Sequence, residues 1–389
     1  MSSRLAHFIL LFLFGILESI RVTVTPALSQ KLTSLGFLDF SLSQYGLLYL
    51  PFSLAAILAA LWSGITIPKH GLNRIFNLAI GFDLLSMYLM GMTFLVADYQ
   101  YLAFPCILAA LFASGVGFGL ILPAINTVLS SLFPNKTEIF ITFFYLSLSI
   151  GSFILFFSLN SVMEHPELNV TLFFLLFILL YFAINFAGVF PKTFEKKEET
   201  SLKFLWPSCL AILCTGILES LFFNWTLIYL AELKGFGSSA SHDLYLSYLT
   251  FFTLSQLVFG FILFRFSFKI LYIGVPFFLS LVLLLTNFFF TENTALILFS
   301  LIGFFLACNM PFLLGFAKKI GGNQPRIFGF LIAFYTCGYG IGSYGFEKWQ
   351  QGFYKFVPIQ FFHLAIVFSC AVLFFNSITL MLSRKTTAQ

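Results

Sequence analysis

The chain has 389 residues, of which 60% are hydrophobic and only 9% are charged. Soluble domains carry about 25% charged residues, so this composition excludes an ordinary soluble fold and indicates an integral membrane protein. The apolar runs are continuous over about twenty residues, which fits membrane-spanning helices rather than the roughly ten-residue alternating strands of a β-barrel.

The apolar runs, taken in chain order, predict about twelve spans. The first six lie at about 5–27, 45–67, 75–97, 102–126, 140–161 and 168–190, and the fourth run continues to Phe133. The second six lie at about 205–231, 243–265, 268–289, 294–317, 327–346 and 357–381. A polar stretch, PKTFEKKEETSLKF, separates the two sets. We therefore predict an N-terminal six-helix bundle at 1–190, a cytoplasmic linker at 191–204 and a C-terminal six-helix bundle at 205–389.

The Lys and Arg residues lie mostly on one side of the predicted spans. If the N-terminus is cytoplasmic, fifteen of the twenty fall in cytoplasmic segments and four fall outside, with Arg21 inside a span. The positive-inside rule then places both termini in the cytoplasm, and we expect the protein in a bacterial inner (cytoplasmic) membrane. The net charge of +5 forms no basic stripe, so we expect no nucleic-acid partner.

Short sequence words recur at matching places in the two sets of spans. FGILES (14–19) is matched by TGILES (215–220), and IGS occurs at 150–152 and again at 341–343. Six is an even number of spans, so both halves start on the same side of the membrane. The sequence therefore predicts two parallel six-helix repeats.

Twelve spans in two halves, a charged central segment and cytoplasmic termini resemble the major facilitator superfamily over essentially the whole chain. In that family the loop after span two reads Gly-x-x-x-Asp-Arg/Lys-x-Gly-Arg-Lys. Here Gly64, Lys69 and Gly71 match, Arg74 lies just beyond, and Pro68 replaces the Asp. The resemblance implies an all-α membrane protein with the major facilitator fold. Because the loop is degenerate, the family's charge relay at the cytoplasmic face is not carried over.

A narrower resemblance is to the fucose–proton symporter-like branch and its sugar-permease relatives. Span seven reads TGILESLFFNWTLIYL, which is similar to that branch's Gly-x-x-Glu…Trp-x-x-x-Tyr pattern through Gly216, Glu219, Trp225 and Tyr229. Span four carries a Gly-rich run that ends in Asn126. This resemblance implies a sugar or sugar-like solute and coupling to protons.

Four charged side chains lie near the middle of predicted spans: Glu18, Arg21, Asp83 and Glu219. A charge at the bilayer centre costs roughly 2.5–3.5 kcal/mol even on the translocon scale, so these groups should face a bundle interior or a wet cavity. Glu18 and Arg21 are spaced i, i+3 on one helix face. Either they neutralise each other, or Arg21 binds an anionic or hydroxyl-rich solute. Asp83 is expected to be a structural charge bonded to span one, with Arg21 as its candidate partner.

Glu219 has no basic neighbour on its own span. Burial without a basic partner favours the neutral form of a carboxyl group, which would suit proton exchange. The alternative is a protonated side chain that only hydrogen-bonds to a neighbouring helix. We therefore predict Glu219 and Glu18 as proton-coupling residues, with the proton exchanged at Glu219 while Glu18 and Arg21 orient the solute.

Neutral polar side chains complete the predicted solute site, although such residues often serve as interhelical hydrogen-bonding partners instead. The candidates are Asn126, Tyr145, Asn224, Trp225, Gln256, Asn309, Tyr335 and Tyr339.

The sequence contains no P-loop, HExxH motif, nucleophile elbow or clustered Cys and His ligands, so we predict neither an enzyme nor a metal or cofactor site. We predict a monomeric secondary active transporter in the lipid bilayer that moves a small polar, sugar-like solute by alternating access, coupled to protons. Two alternatives stay open. One is proton-antiport efflux of hydrophobic or cationic compounds, and the other is a non-transporting binding or scaffold protein with the same fold.

Overall fold

A computed structural model describes residues 2–34, 42–95, 99–164, 166–190, 205–230, 235–321, 325–348 and 361–386. The predicted cytoplasmic linker at 191–204 lies outside these residues. The described residues are almost entirely helical and contain no strand.

The helices of the N-terminal half are α1 (Ser2–Ser34), α2 (Leu42–His70), α3 (Leu72–Leu95), α4 (Gln100–Leu132), α5 (Thr137–Glu164) and α6 (Pro166–Phe186). Those that follow are α7 (Trp206–Ser220), a π-helix (Leu221–Trp225), α8 (Thr226–Ile228), α9 (Ser238–Ile262), α10 (Phe268–Phe289), α11 (Glu292–Leu306), α12 (Asn309–Gly321), α13 (Pro325–Lys348) and α14 (Phe361–Thr386).

The described helices fit the predicted architecture of about twelve spans. Eleven helical segments are long and apolar enough to cross a membrane, and Leu172–Phe186 of α6 is a shorter apolar helix. The fourth span is the long one, because α4 continues to Leu132. Two spans are interrupted, which the sequence analysis did not predict: the seventh by the π-helix, and the tenth by a break between α11 and α12.

Packing contacts divide the chain into two compact units. The first contains Met1–Asn135, Ser147–Glu198 and Asn323–Ala333, and the second contains Lys136–Leu146, Glu199–Gly322 and Phe334–Gln389. In the first unit, α4 packs against α2 and α3, and α1 packs against α6. In the second unit, α9 packs against α11, and α14 packs against α7 and α10. The predicted domain limits at 190 and 205 stay a prediction.

The repeated words mark a helix crossing in the first unit. On α5, a Cβ built at Gly151 of the first IGS word would lie 2.9 Å from Ser19 Cβ and would overlap with the carbonyl oxygen of Ile16 on α1. Ser19 and Ser152 then join the two helices by a hydroxyl–hydroxyl hydrogen bond of 2.7 Å. The glycine therefore lets α1 and α5 approach closely beside the first GILES word.

The same crossing occurs in the second unit. A Cβ built at Gly342 of the second IGS word would overlap with Ser220 Oγ and lie 2.8 Å from the carbonyl oxygen of Ile217. Ile217 and Ser220 occupy the places in the second GILES word that Ile16 and Ser19 occupy in the first. The repeated words thus encode equivalent contacts, which supports the predicted parallel repeat.

Candidate functional site

A buried ion pair occupies α1 in the first unit. Arg21 Nε donates to Glu18 Oε2 at 2.9 Å, and Arg21 Nη2 donates to Glu18 Oε1 at 2.5 Å. The exposed fraction is 1% for the Arg21 side chain and 0% for that of Glu18. Arg21 Nη1 also donates to Ser114 Oγ on α4 at 2.8 Å. The i, i+3 spacing therefore produces a two-point ion pair, and a second helix holds the guanidinium in place.

Asp83 of α3 lies against the same guanidinium. Its Oδ1 is 2.9 Å from Arg21 Nη2, and its side chain is fully buried. Neither carboxylate oxygen, however, accepts a hydrogen bond of good geometry from the described residues. The contact is therefore close in distance but poorly aligned, so we do not count it as a hydrogen bond. Gly117 of α4 makes room for it, since a Cβ there would overlap with Oδ1.

Glu219 lies in a different environment in the second unit. It is 5% exposed, and Tyr335 of α13 donates its hydroxyl to Glu219 Oε2 at 2.7 Å. The ion pairs formed within the described residues join Arg21 to Glu18 and to Asp83, and Glu219 takes part in neither. The close approach of α7 and α13 depends on Gly216, where a Cβ would overlap with the carbonyl oxygen of Tyr335.

The π-helix that follows Glu219 carries three more polar contacts to α13. Asn224 Nδ2 donates to Ser343 Oγ at 2.8 Å, and the Tyr339 hydroxyl donates to Asn224 Oδ1 at 3.1 Å. Trp225 Nε1 donates to the Ser343 carbonyl oxygen at 2.9 Å. π-helical turns interrupt the regular hydrogen-bond ladder and occur often at functional sites. We call the set Glu219, Asn224, Trp225, Tyr335, Tyr339 and Ser343 the second-unit polar cluster.

The break between α11 and α12 has an identifiable cause. Pro311 has no N–H to donate to the carbonyl oxygen of Ala307, four residues earlier, and its ring would clash with that group. Gln256 of α9 satisfies the carbonyl instead, with Nε2 donating to it at 3.1 Å. Asn309 Nδ2 donates to the carbonyl oxygen of Leu306 at 3.1 Å. Both predicted solute ligands therefore stabilise a broken helix, a feature that lines binding sites in many transporters.

Two further predicted ligands, Asn126 and Tyr145, lie on α4 and α5. Asn126 is fully buried on α4 and donates Nδ2 to the carbonyl oxygen of Leu122 on its own helix at 2.8 Å. Tyr145 of α5 is 6% exposed. Of the predicted solute ligands, the structure thus joins Glu18 with Arg21 and Asn224 with Tyr339, and Trp225 bonds to Ser343 on the same helix as Tyr339. The assignment of these residues as ligands stays a prediction.

Sequence reasoning missed several members of these sites. Ser114 and Ser343 are small hydroxyl residues that no charge pattern singles out. The recurrence of IGS was a usable signal for Ser343, because it ends the repeated word. Tyr248 of α9 was also missed; its ring stacks on Phe222 with centroids 5.8 Å apart, and its buried hydroxyl has no hydrogen-bonding partner among the described residues. Those residues also contain no group of three or more His, Cys, Asp or Glu that could hold a metal ion.

Comparison with known protein families identifies the family of this chain. The model of the Major Facilitator Superfamily matches residues 7–344. The chain belongs to the Major Facilitator Superfamily. This membership identifies the protein as an integral membrane transporter rather than an enzyme. A search of curated protein sequences finds no match.

Solved structures of the superfamily share the fold at low sequence identity. FucP, the fucose:proton symporter of E. coli, in its outward conformation has a TM-score of 0.77 and 14% identity, over 97% of this chain and 99% of that one. A bacterial homologue of the iron transporter ferroportin, outward-facing with soaked iron, has a TM-score of 0.72 and 15% identity, over 96% and 98% of the two chains. The proton:xylose symporter XylE bound to 6-bromo-6-deoxy-D-glucose has a TM-score of 0.70 and 13% identity, over 96% and 94%. At these identities the likeness concerns the fold alone.

Proposed function

We propose that this transporter moves a small polar, sugar-like solute by alternating access, with Glu219 as the residue that takes up and releases the coupling proton. The observation that carries the proposal is the bond from the Tyr335 hydroxyl to Glu219 Oε2, in a buried site where Glu219 has no ion pair among the described residues. A hydroxyl can hydrogen-bond to both the ionised and the protonated carboxyl group. Glu219 can therefore change its charge without losing its partner.

In this proposal Glu18 and Arg21 bind the solute rather than the coupling proton. Their two-point ion pair places a carboxyl group and a guanidinium side by side on α1. A guanidinium offers five N–H donors in a fixed fork, which suits hydroxyl-rich or anionic solutes. The division of roles rests on the contrast between an ion-paired glutamate in the first unit and a hydroxyl-bonded glutamate in the second.

Two further features support a sugar-like solute. The second-unit polar cluster combines amide, hydroxyl and indole groups, and a ring hydroxyl of a sugar can exchange hydrogen bonds with each of them. Two of the structural neighbours are described as proton symporters of fucose and xylose. We also propose that both termini are cytoplasmic, in a bacterial inner membrane, on the strength of the fifteen-to-four distribution of Lys and Arg.

The test begins with a panel of sugars and related polyols screened for thermal stabilisation of the purified protein. The stabilising solute is then used in proteoliposomes for two assays, uptake driven by an imposed proton gradient and solute counterflow without a gradient. We expect Glu219→Gln to abolish accumulation against a gradient and to retain counterflow, whereas Glu18→Gln weakens solute binding itself. Asp243→Asn, a carboxyl-to-amide change at an exposed position of α9, is the matched control and should behave like the wild type.

The outcomes separate the open alternatives. Accumulation by Glu219→Gln in response to the proton gradient would show that Glu219 is not the coupling site. Proton-driven movement out of vesicles, of hydrophobic or cationic compounds only, would favour antiport efflux. Stabilisation by a solute without any transport would favour a binding or scaffold protein.

A further inference from the structure

Glu18, Arg21 and Asp83 form a first-unit cluster. Its charges do not balance if all three groups are ionised. Glu18 and Asp83 each contact Arg21, and the three side chains are no more than 1% exposed. Two carboxylates and one guanidinium leave a net charge of −1 in a buried site. A buried charge without a partner is strongly unfavourable, and such a group usually becomes neutral instead.

Hydrogen bonding identifies the carboxyl group that is in excess. Both oxygens of Glu18 accept hydrogen bonds from Arg21. Both oxygens of Asp83 are buried and accept none from the described residues. Burying an ionised carboxylate without hydrogen-bond donors carries a larger free-energy penalty than burying a neutral carboxyl group. Of the two carboxyl groups, Asp83 is therefore the one whose protonation removes the larger penalty.

The other helices that pack on α3 do not supply the missing charge. Within its described residues, α4 contains no Asp, Glu, Lys or Arg. Lys69 and His70 lie in the last turn of α2. Arg74, on α3 itself, is nine residues from Asp83, about 14 Å along the helix axis. α6 contains Glu167, which is acidic and close to its first residue. Arg21 is thus the single cation in contact with Asp83 among the described residues.

We propose that Asp83 and Glu18 share one proton across Arg21, so that the cluster is a second protonation site. In one arrangement Glu18 is the ionised partner of Arg21, and Asp83 holds the proton. When Glu18 is neutral instead, Asp83 loses the proton and becomes the partner of Arg21. The cluster keeps a net charge of zero in both arrangements.

This protonation site does not depend on the role proposed for Glu219. A consequence for transport does rest on the proposed function: a solute that hydrogen-bonds to one carboxyl group would determine which of the two holds the proton. The same solute contact would then change the charge on α3 as well as on α1.

Infrared spectroscopy tests the proposal without a transport assay. The carbonyl stretch of a protonated carboxyl group lies apart from that of a carboxylate. The protein is studied at neutral pH in a Glu219→Gln background, so that Glu219 contributes no such band. We expect one protonated-carboxyl band in this background, and we expect Asp83→Asn to remove it. Asp243→Asn at the exposed position should leave it unchanged.

The decisive variant is Glu18→Gln in the same background. It mimics a neutral Glu18, so Asp83 should ionise and the band should disappear although Asp83 is still present. Absence of the band in the background protein, or its persistence in Glu18→Gln, would overturn the proposal. If Asp83→Asn does not fold, Glu18→Gln alone decides the question. Failure of every transport assay would count against the proposed function and not against this inference.

Discussion

Replacement of Tyr335 by Phe gives a quantitative test of the role of Glu219. The change removes one hydroxyl, which donates to Glu219 Oε2 at 2.7 Å, and leaves the ring in place. A hydrogen bond to a charged group contributes about 1.5–3 kcal/mol and one between neutral groups about 0.5–1.5 kcal/mol. The substitution should therefore destabilise the ionised form of Glu219 by about 1 kcal/mol more than the protonated form.

This difference predicts both the sign and the size of an effect on transport. Tyr335→Phe favours the protonated form, so a higher pH is needed for proton release. Since about 1.36 kcal/mol corresponds to one pH unit, the midpoint of the pH profile of gradient-driven uptake should rise by roughly 0.7 unit. The measurement is initial uptake in proteoliposomes across a series of external pH values.

Tyr339→Phe is the matched control for this experiment. Tyr339 lies one turn further along α13, and its hydroxyl donates to Asn224 rather than to Glu219. We expect this variant to keep the wild-type pH midpoint, whatever it does to solute affinity. An unchanged midpoint in Tyr335→Phe, or equal shifts in both variants, would refute the assignment of the titrating group to Glu219.

Three other predictions concern the first unit, the topology and the packing of the second unit. Arg21→Ala should lose more transport than Arg21→Lys, because both the ion pair and a ligand role require a cation; equal losses in uptake assays would contradict this. An external maleimide should label a cysteine placed at Glu164 and should not label one placed at Lys197, and the reverse pattern would overturn the predicted topology. Gly342→Ala should lower the free energy of unfolding by about 1–3 kcal/mol through overpacking, which a thermal unfolding assay would detect. Gly345→Ala, where the nearest atom to a new Cβ is 3.8 Å away, should have little effect.

The spans could be predicted because continuous apolar runs mark them, and the repeat could be predicted because identical short motifs recur in both halves. Continuous apolar runs fix where helices cross the bilayer, since every backbone polar group there must be satisfied within the helix. The recurrence of GILES and IGS predicted the repeat, and the structure explains it as a glycine-mediated helix crossing at Gly151 and again at Gly342. The words therefore carry packing information as well as two glutamates.

The interruptions of spans seven and ten could not be predicted with the same rules. Pro311 was visible in the sequence, but Pro123 of α4 was equally visible and lies inside a continuous helix. In span ten the carbonyl group that Pro311 leaves without its helical donor accepts a hydrogen bond from Gln256 on a different helix. The π-helix likewise makes contacts to another helix, such as the bond from Trp225 to Ser343 of α13. Both are tertiary effects that a single span does not encode.

The two glutamates of the repeated motif, Glu18 and Glu219, differ in environment because the residues at equivalent positions around them differ between the halves. At the offset that relates Glu18 to Glu219, the position of Arg21 is taken by Phe222. Phe222 is fully buried and packs against aromatic rings, including Tyr248 at 5.8 Å. The second unit thus replaces the cation with an apolar side chain, which removes the group that would hold Glu219 in its ionised form.

The opposite exchange occurs at the residue that contacts Glu219 from α13. At the offset that relates the two IGS words, the position of Tyr335 is taken by Phe144, which has no hydroxyl to donate. Each half has therefore kept the carboxyl group and only one of its two possible partners, a guanidinium for Glu18 and a phenol for Glu219. Two equivalent glutamates with equivalent partners would bind protons alike. This difference in partners is the structural reason why we propose Glu219, and not Glu18, as the residue that exchanges the coupling proton.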